Sequence, residues 1–248
     1  GSVSPEAVDA LHRSVVASRI VLRVPDLGGA LDWSPAGDVF VTEGPEESGL
    51  IDIRDATTGE SVRSFRGHDA DVNLVAFSAD GSMLGTSADD GVVRVWDTAT
   101  GERRQSFEGK PGQTWGVAFS PDGSLLAASS WDEGVVRVWD IVTGDLVSET
   151  GPIAASFTTS FSPDGRQLAI ASFDSESIVV DVRTGAEVLA LEGHLQGAVD
   201  VDWSPNGRWI STSGLDGTVR IFDARTGRPE SALYGHRGEV VAADWSSD

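Results

Sequence analysis

An aromatic residue followed by Ser recurs along this chain with near-constant spacing. It falls at Trp33, Phe77, Phe119, Phe161, Trp203 and Trp245, in steps of 44, 42, 42, 42 and 42 residues. A fixed period of this kind means that one supersecondary unit is repeated, and such a unit buries its apolar faces only against its neighbours. The best-preserved copy is FSADGSMLGTSADDGVVRVWDTATG, from Phe77 to Gly101. Its short apolar runs are closed by Ala-Asp-Gly, Asp-Asp-Gly and Thr-Ala-Thr-Gly, each placing a glycine where a tight turn wants positive φ. Runs this short, bounded by glycine, read as β-strands rather than helices. Copies start at Phe119, Phe161 and Trp203, a degenerate one at Trp33, and one that has barely begun at Trp245. Four strands per period predict an all-β chain of four-stranded sheets.

The strings Val95-Trp96-Asp97 and Val138-Trp139-Asp140, with Gly67-His68, Gly193-His194 and Gly235-His236 upstream of strand starts, resemble the WD-repeat β-propeller family. The resemblance covers Ser18 to Asp248. It implies a β-propeller of four-stranded antiparallel blades: five complete blades plus parts of a sixth. The parts are an outer strand at residues 19–24 and an innermost strand at 240–245. A toroid seals its last blade with strands from both ends, so the expectation is a parent chain that continues past Asp248; failing that, an open ring or an edge-paired oligomer. Ahead of the propeller (18–248), residues 1–17 divide into a cleavage scar, Gly1-Ser2, and a short amphipathic connector helix. Ser4-Pro5-Glu6 signals its start, and Ala7, Val8, Leu11 and Val15 recur at helical spacing. Between Val41 and Ile51 the first copy has a longer, acidic turn containing Pro45, which excludes a central strand there.

Composition narrows the function. A net charge of -21 repels phosphate backbones, so direct nucleic-acid binding is not expected, while a basic peptide would be attracted. The absence of cysteine excludes disulfides, thiolate metal sites and a cysteine nucleophile. No apolar run reaches membrane-spanning length, and no secretory signal is present; a cytoplasmic location and no membrane contact are the expectation.

Within the family, a hydrogen-bonded tetrad links the strands of a blade, and the resemblance assigns it here to His68, Thr86, Asp90 and Trp96. A His beside an Asp also has the look of a catalytic pair, but its recurrence by position favours the structural reading. Elsewhere the pattern decays. His194, Thr212 and Asp216 are kept with Phe222 in the Trp position. The Phe119 copy keeps Asp132 and Trp139 but has Lys110 and Ala128 in the other two positions. Pro152 and Val180, and Arg54 in the first copy, are further departures. No phosphate loop, His-rich metal site or catalytic group stands out, and no cofactor is expected. The inner-strand acids Asp71, Asp200 and Glu239 lack the dense oxygen spacing of calcium loops.

Family geometry places two kinds of position on one face of the propeller: the start of the inner strand and the residue before the turn Asp. These are Asn73 and Asp89, Trp115 and Trp131, Phe157 and Phe173, and Val199 and Leu215, with Gln113 beside them. Two adjacent blades thus bring four aromatics toward one surface, where exposed rings mark binding sites. The leading expectation is a non-catalytic scaffold for a protein or peptide with basic flanks, as the sensory or scaffolding part of a larger bacterial regulator. The alternative is a propeller enzyme or carbohydrate-binding module using acids around the central channel.

Overall fold

The computed structural model describes residues 31–44, 49–108, 114–153, 156–173 and 176–246. The expected connector helix, the strand at 19–24 and Gln113 lie outside them. The described chain forms five antiparallel four-stranded sheets, each made from consecutive strands. Blade 1 holds β1 (Leu31–Trp33), β2 (Val39–Glu43), β3 (Leu50–Asp55) and β4 (Ser61–Arg66). Blade 2 holds β5 (Val72–Phe77), β6 (Met83–Ala88), β7 (Val92–Asp97) and β8 (Arg103–Glu108). In blade 3 are β9 (Thr114–Phe119), β10 (Leu125–Ser130), β11 (Val135–Asp140) and β12 (Leu146–Glu149). Blade 4 comprises β13 (Ser156–Phe161), β14 (Gln167–Ser172), β15 (Ser177–Asp181) and β16 (Glu187–Leu191). Blade 5 comprises β17 (Ala198–Trp203), β18 (Trp209–Gly214), β19 (Val219–Asp223) and β20 (Pro229–Leu233).

Successive blades meet along their first strands, β1 to β5, β5 to β9, β9 to β13 and β13 to β17. The apolar core is divided into four clusters, each shared by two neighbouring blades. Phe77 packs with Val41, Ile51 and Ile53 of blade 1. Phe119 packs with Val93 and Val95 of blade 2, Phe161 with Val136 and Val138 of blade 3, and Trp203 with Ala169 and Val179 of blade 4. Alternate residues of the third strands serve opposite clusters: Val95 faces blade 3 while Trp96 joins the cluster with blade 1. That two-sided burial explains the near-continuous apolar run VVRVW, since a strand covered on both faces need not alternate. Trp33, at 51% exposure, is the exception in a series where Phe77, Phe161 and Trp203 are 9%, 7% and 7% exposed; no described blade precedes its own.

The turns after the first strands work by the same chemistry in blades 2 to 4, with Asn206 taking the Asp position in blade 5 and Asp38 accepting from Ser34 in blade 1. Ser78 donates to Asp80 at 2.6 Å and Asp80 accepts the Ser82 amide, which holds its carboxyl down to about 2. Gly81 (φ 71°) and Gly101 (φ 73°) occupy the left-handed positions that such turns require.

In blade 2 the four tetrad positions form a directional chain. Trp96 Nε1 donates to Thr86 Oγ1 at 3.0 Å, Thr86 Oγ1 lies 2.7 Å from His68 Nε2, and His68 Nδ1 lies 3.1 Å from Asp90. One donor at each step satisfies the chain with a neutral imidazole, and burial does lower the His68 pKa. Arg94 adds a fifth member, donating to Asp90 at 2.7 Å and contacting His68. The equivalent arginines take up related roles: Arg137 bonds Glu133 at 2.6 Å and Glu149 at 2.7 Å, and Arg220 lies 3.8 Å from Asp216. In blade 5, His194 lies 2.7 Å from Thr212 and 3.0 Å from Asp216, with Phe222 buried where a tryptophan would donate.

A sixth blade does not take shape among the described residues. Residues 240–245, expected as its innermost strand, join no strand ladder. With no described second strand to pair with, the segment is held chiefly by blade 5. Val240 N donates to Gly214 O at 3.1 Å, Ala243 N to Asp200 at 3.0 Å and Trp245 N to Asp202 at 3.5 Å. The same side-chain stitch joins other first strands: Phe77 N donates to Asp32 at 2.7 Å and Val201 N to Thr158 at 3.1 Å. The inner-strand acids are therefore Asp32, Asp200 and Asp202. Asp71 and Glu239, singled out by position, are exposed instead: Asp71 stands just before β5 and Glu239 just before the unpaired segment 240–245. Burial raises the pKa of all three stitching acids, with repulsion from Asp244 adding to it, and Asp202 is pushed up to about 6.

Two outcomes follow from these bonds. Trp96→Phe leaves the Thr86–His68 chain short of a donor and should cost roughly 1–3 kcal/mol in denaturant titration. Trp139→Phe should cost less, since Ala128 stands where a hydroxyl partner would be. Asp202 titrates above its unfolded value of 3.8, so its contribution is complete below that pH and is lost as pH rises through about 6. Asp202→Asn should therefore remove on the order of 1–2 kcal/mol of stability loss between pH 5 and 8. The comparison with wild type isolates this group, because His68, with its lowered pKa, acts in the opposite direction over that range.

Candidate partner-binding face

At one end of the blades the first strands begin and the second strands end, so residues from both converge there. Trp115 is the second residue of β9 and Phe157 the second of β13, while Trp131 and Phe173 directly follow β10 and β14. The structure brings all four rings into one contiguous strip across blades 3 and 4. Trp115 lies 5.2 Å from Phe157 and 6.4 Å from Trp131, centroid to centroid. Trp131 lies 4.8 Å from Phe157 and 5.7 Å from Phe173, and Phe157 lies 5.7 Å from Phe173. Most contacts are edge-on or tilted, the arrangements favoured by the ring quadrupole. Each ring is half-buried: it packs on its neighbours and keeps part of its surface in solvent.

The backbone beneath the strip is fixed from the preceding blade. Ser87 Oγ, on β6, donates to the Trp115 carbonyl at 3.0 Å. Ser129 Oγ, on β10, accepts the Gly116 amide at 2.7 Å and donates to the Phe157 carbonyl at 2.8 Å. A Cβ at Gly116 would meet the Phe157 carbonyl at 2.6 Å, so glycine is what lets β9 and β13 approach this closely. These serines, like Arg94, did not emerge from the motif pattern. Their signal is positional: Ser87, Ser129 and Ser213 occupy one column of the repeat.

The other positions expected on this face do different things. Asn73 Nδ2 donates to Asp89 at 2.7 Å and to the Thr114 carbonyl at 3.0 Å, so its amide ties blade 2 to blade 3. Leu215 is half-buried on blade 5, its amide donating to the Gly197 carbonyl at 3.3 Å. Val199 is buried. Exposed acids flank the strip: Asp89 on blade 2, Asp132 next to Trp131, and Glu176 three residues after Phe173. The two histidines nearest any carboxylate, His68 and His194, have both ring nitrogens committed within their blades. Among the described residues no cluster of three or more His, Asp or Glu could hold a metal ion.

Comparison with known proteins adds the family. The family model described as WD domain, G-beta repeat matches residues 59–97, 101–140 and 185–223. The matched copies end in the aromatics Trp96, Trp139 and Phe222, whereas the unmatched copies carry Arg54 and Val180 at that position. A search of curated proteins gives no match. Among solved structures, the crystal structure of the computationally designed Ika8 protein superposes with a TM-score of 0.73 at 26% identity, covering 90% of this chain and 67% of that one. WD40 repeats are in general protein-interaction scaffolds. Three WD40 repeats thus lie within a series of like four-stranded blades, which is consistent with a WD-repeat propeller.

Proposed function

We propose that this chain is a non-catalytic interaction module that binds a protein or peptide across the strip formed by Trp115, Trp131, Phe157 and Phe173. The observation that carries the reading is the strip itself: four touching, half-buried rings from two blades, with the backbone of Trp115 and Phe157 fixed by Ser87 and Ser129. Large aromatic surface held in place contributes to binding at low ordering cost. Asp89, Asp132 and Glu176 around it suit a partner with basic flanks, and the net charge of -21 would speed its approach. In this reading the module is cytoplasmic and serves as the sensory or scaffolding part of a larger bacterial regulator, with any effector chemistry carried elsewhere. The histidines support the non-catalytic assignment, since their ring nitrogens are engaged in blade structure.

The test is selection from a random-peptide display library against the wild-type chain. Selected peptides should be rich in Arg or Lys beside apolar residues, and their association rate should fall with salt. Trp115→Ala combined with Trp131→Ala should abolish their binding while the melting temperature stays within a few degrees. Unimpaired binding, or collapse of the fold, would assign the rings to the core instead.

A further inference from the structure

The aromatic strip runs directly into a cavity. Between Phe173, Glu176 and Ser177 of blade 4 and the loop 193–197 of blade 5 lies a hollow of about 400 Å³, and Phe173 belongs to both features. Its other walls include Glu176, Ser177, His194, Gln196 and Gly197. Gly197 shapes it: a Cβ there would lie 1.7 Å from the Phe173 carbonyl, so only glycine (φ 55°) lets the loop rest on the blade 4 backbone.

The lining has a definite sign. Among the described residues that line it, the one acidic group is the exposed Glu176, and none is a lysine or arginine. His194 contributes ring carbon rather than a free nitrogen, because Thr212 and Asp216 take both nitrogens. Behind Gly193 lies Arg220, but its guanidinium faces Asp216 at 3.8 Å, which offsets its charge. What remains exposed in the lining is the Glu176 carboxylate, the Gln196 amide, the Leu195 side chain and part of the Phe173 ring; the Ser177 hydroxyl is buried and accepts the Ser172 amide.

We propose that this cavity receives an arginine side chain of the partner. The proposal rests on the reading of the aromatic strip as the docking surface, and it adds which chemistry enters beside it. A guanidinium is planar and weakly hydrated, so it can stack on Phe173 while donating in parallel to the two carboxylate oxygens of Glu176. The Gln196 amide oxygen, on the facing wall, is a further acceptor. Neutral or acidic side chains of similar length would leave Glu176 unpaired or repelled.

A small probe tests the cavity without the strip. Nα-acetyl-arginine amide is titrated into the isotope-labelled chain and amide shifts are followed by NMR, with Nα-acetyl-citrulline amide, which has the same shape and no charge, as control. The arginine probe should shift the amides of Gly193, Leu195, Gln196 and Gly197, and citrulline should not. Glu176→Gln, a change at an exposed side chain, should weaken the arginine titration roughly three- to tenfold. Equal shifts with citrulline, an unchanged titration in Glu176→Gln, or no shift at these amides would each overturn the assignment. If displayed peptides still require Trp115 and Trp131 in that event, only the arginine pocket fails; if the probe binds while the strip proves dispensable, the docking reading fails and the pocket stands.

Discussion

Everything in this molecule depends on one packing contact, the burial of a first-strand aromatic in the blade before it. A four-stranded sheet has two faces to cover and no core of its own. Here each blade supplies half of the cluster on either side, so Phe77, Phe119, Phe161 and Trp203 act as the joints of the series. Stability in such an array is the sum of neighbour interfaces. That explains how the tetrad can be lost without loss of a blade. Val180 fills the tryptophan position of blade 4 at 1% exposure, inside a cluster with Val136, Val138 and Ile170. In blade 1, Arg54 pairs with Asp52 at 2.7 Å, and Ile51 and Ile53 still pack on Phe77.

What could be read from the sequence was whatever the repeat forces to recur at a fixed offset. Turn glycines, joint aromatics and apolar strand runs are dictated by local geometry, so they mark strands and period without a structure. His68, Thr86, Asp90 and Trp96 sit at such offsets, and the structure brings them together in one bonded chain. Arg94 is different, because an arginine in a strand reads as a solvated residue until Asp90 is seen four positions away across the turn. Ser87 and Ser129 are ordinary strand serines in sequence, and their acceptors, the carbonyls of Trp115 and Phe157, belong to the next blade. Asn73 was placed on the docking face by its column, yet its amide is spent on Asp89 and the Thr114 carbonyl. Contacts between copies are not encoded in the spacing within a copy.

The acidity of the chain also divides once the bonds are known. Many of its carboxylates are turn groups. Asp55, Asp140 and Asp181 accept backbone amides just after the third strands, and Asp122 and Asp164 accept serine hydroxyls and amides after the first. Those bonds hold their pKa values below the ordinary carboxylate range. A second set, Asp32, Asp200 and Asp202, accepts amides from the neighbouring segment and is shifted the other way by burial. Neither set tells of a partner. A basic ligand would be favoured by the few acids beside the aromatic strip, while the bulk charge acts mainly on solubility and encounter rate.

For the proposed binding role, what matters in the strip is that its rings are fixed in advance. A ring on a loop would have to be ordered on binding, and that ordering would offset part of the interaction. Trp115 and Phe157 instead stand on first strands whose carbonyls are bonded to the blade behind, and Trp131 is wedged between them and Phe173. The rings also cover one another, so a partner displaces water only from their outer faces. The strip is therefore a property of the joint between blades 3 and 4, and the packing that assembles the fold also sets the four rings side by side.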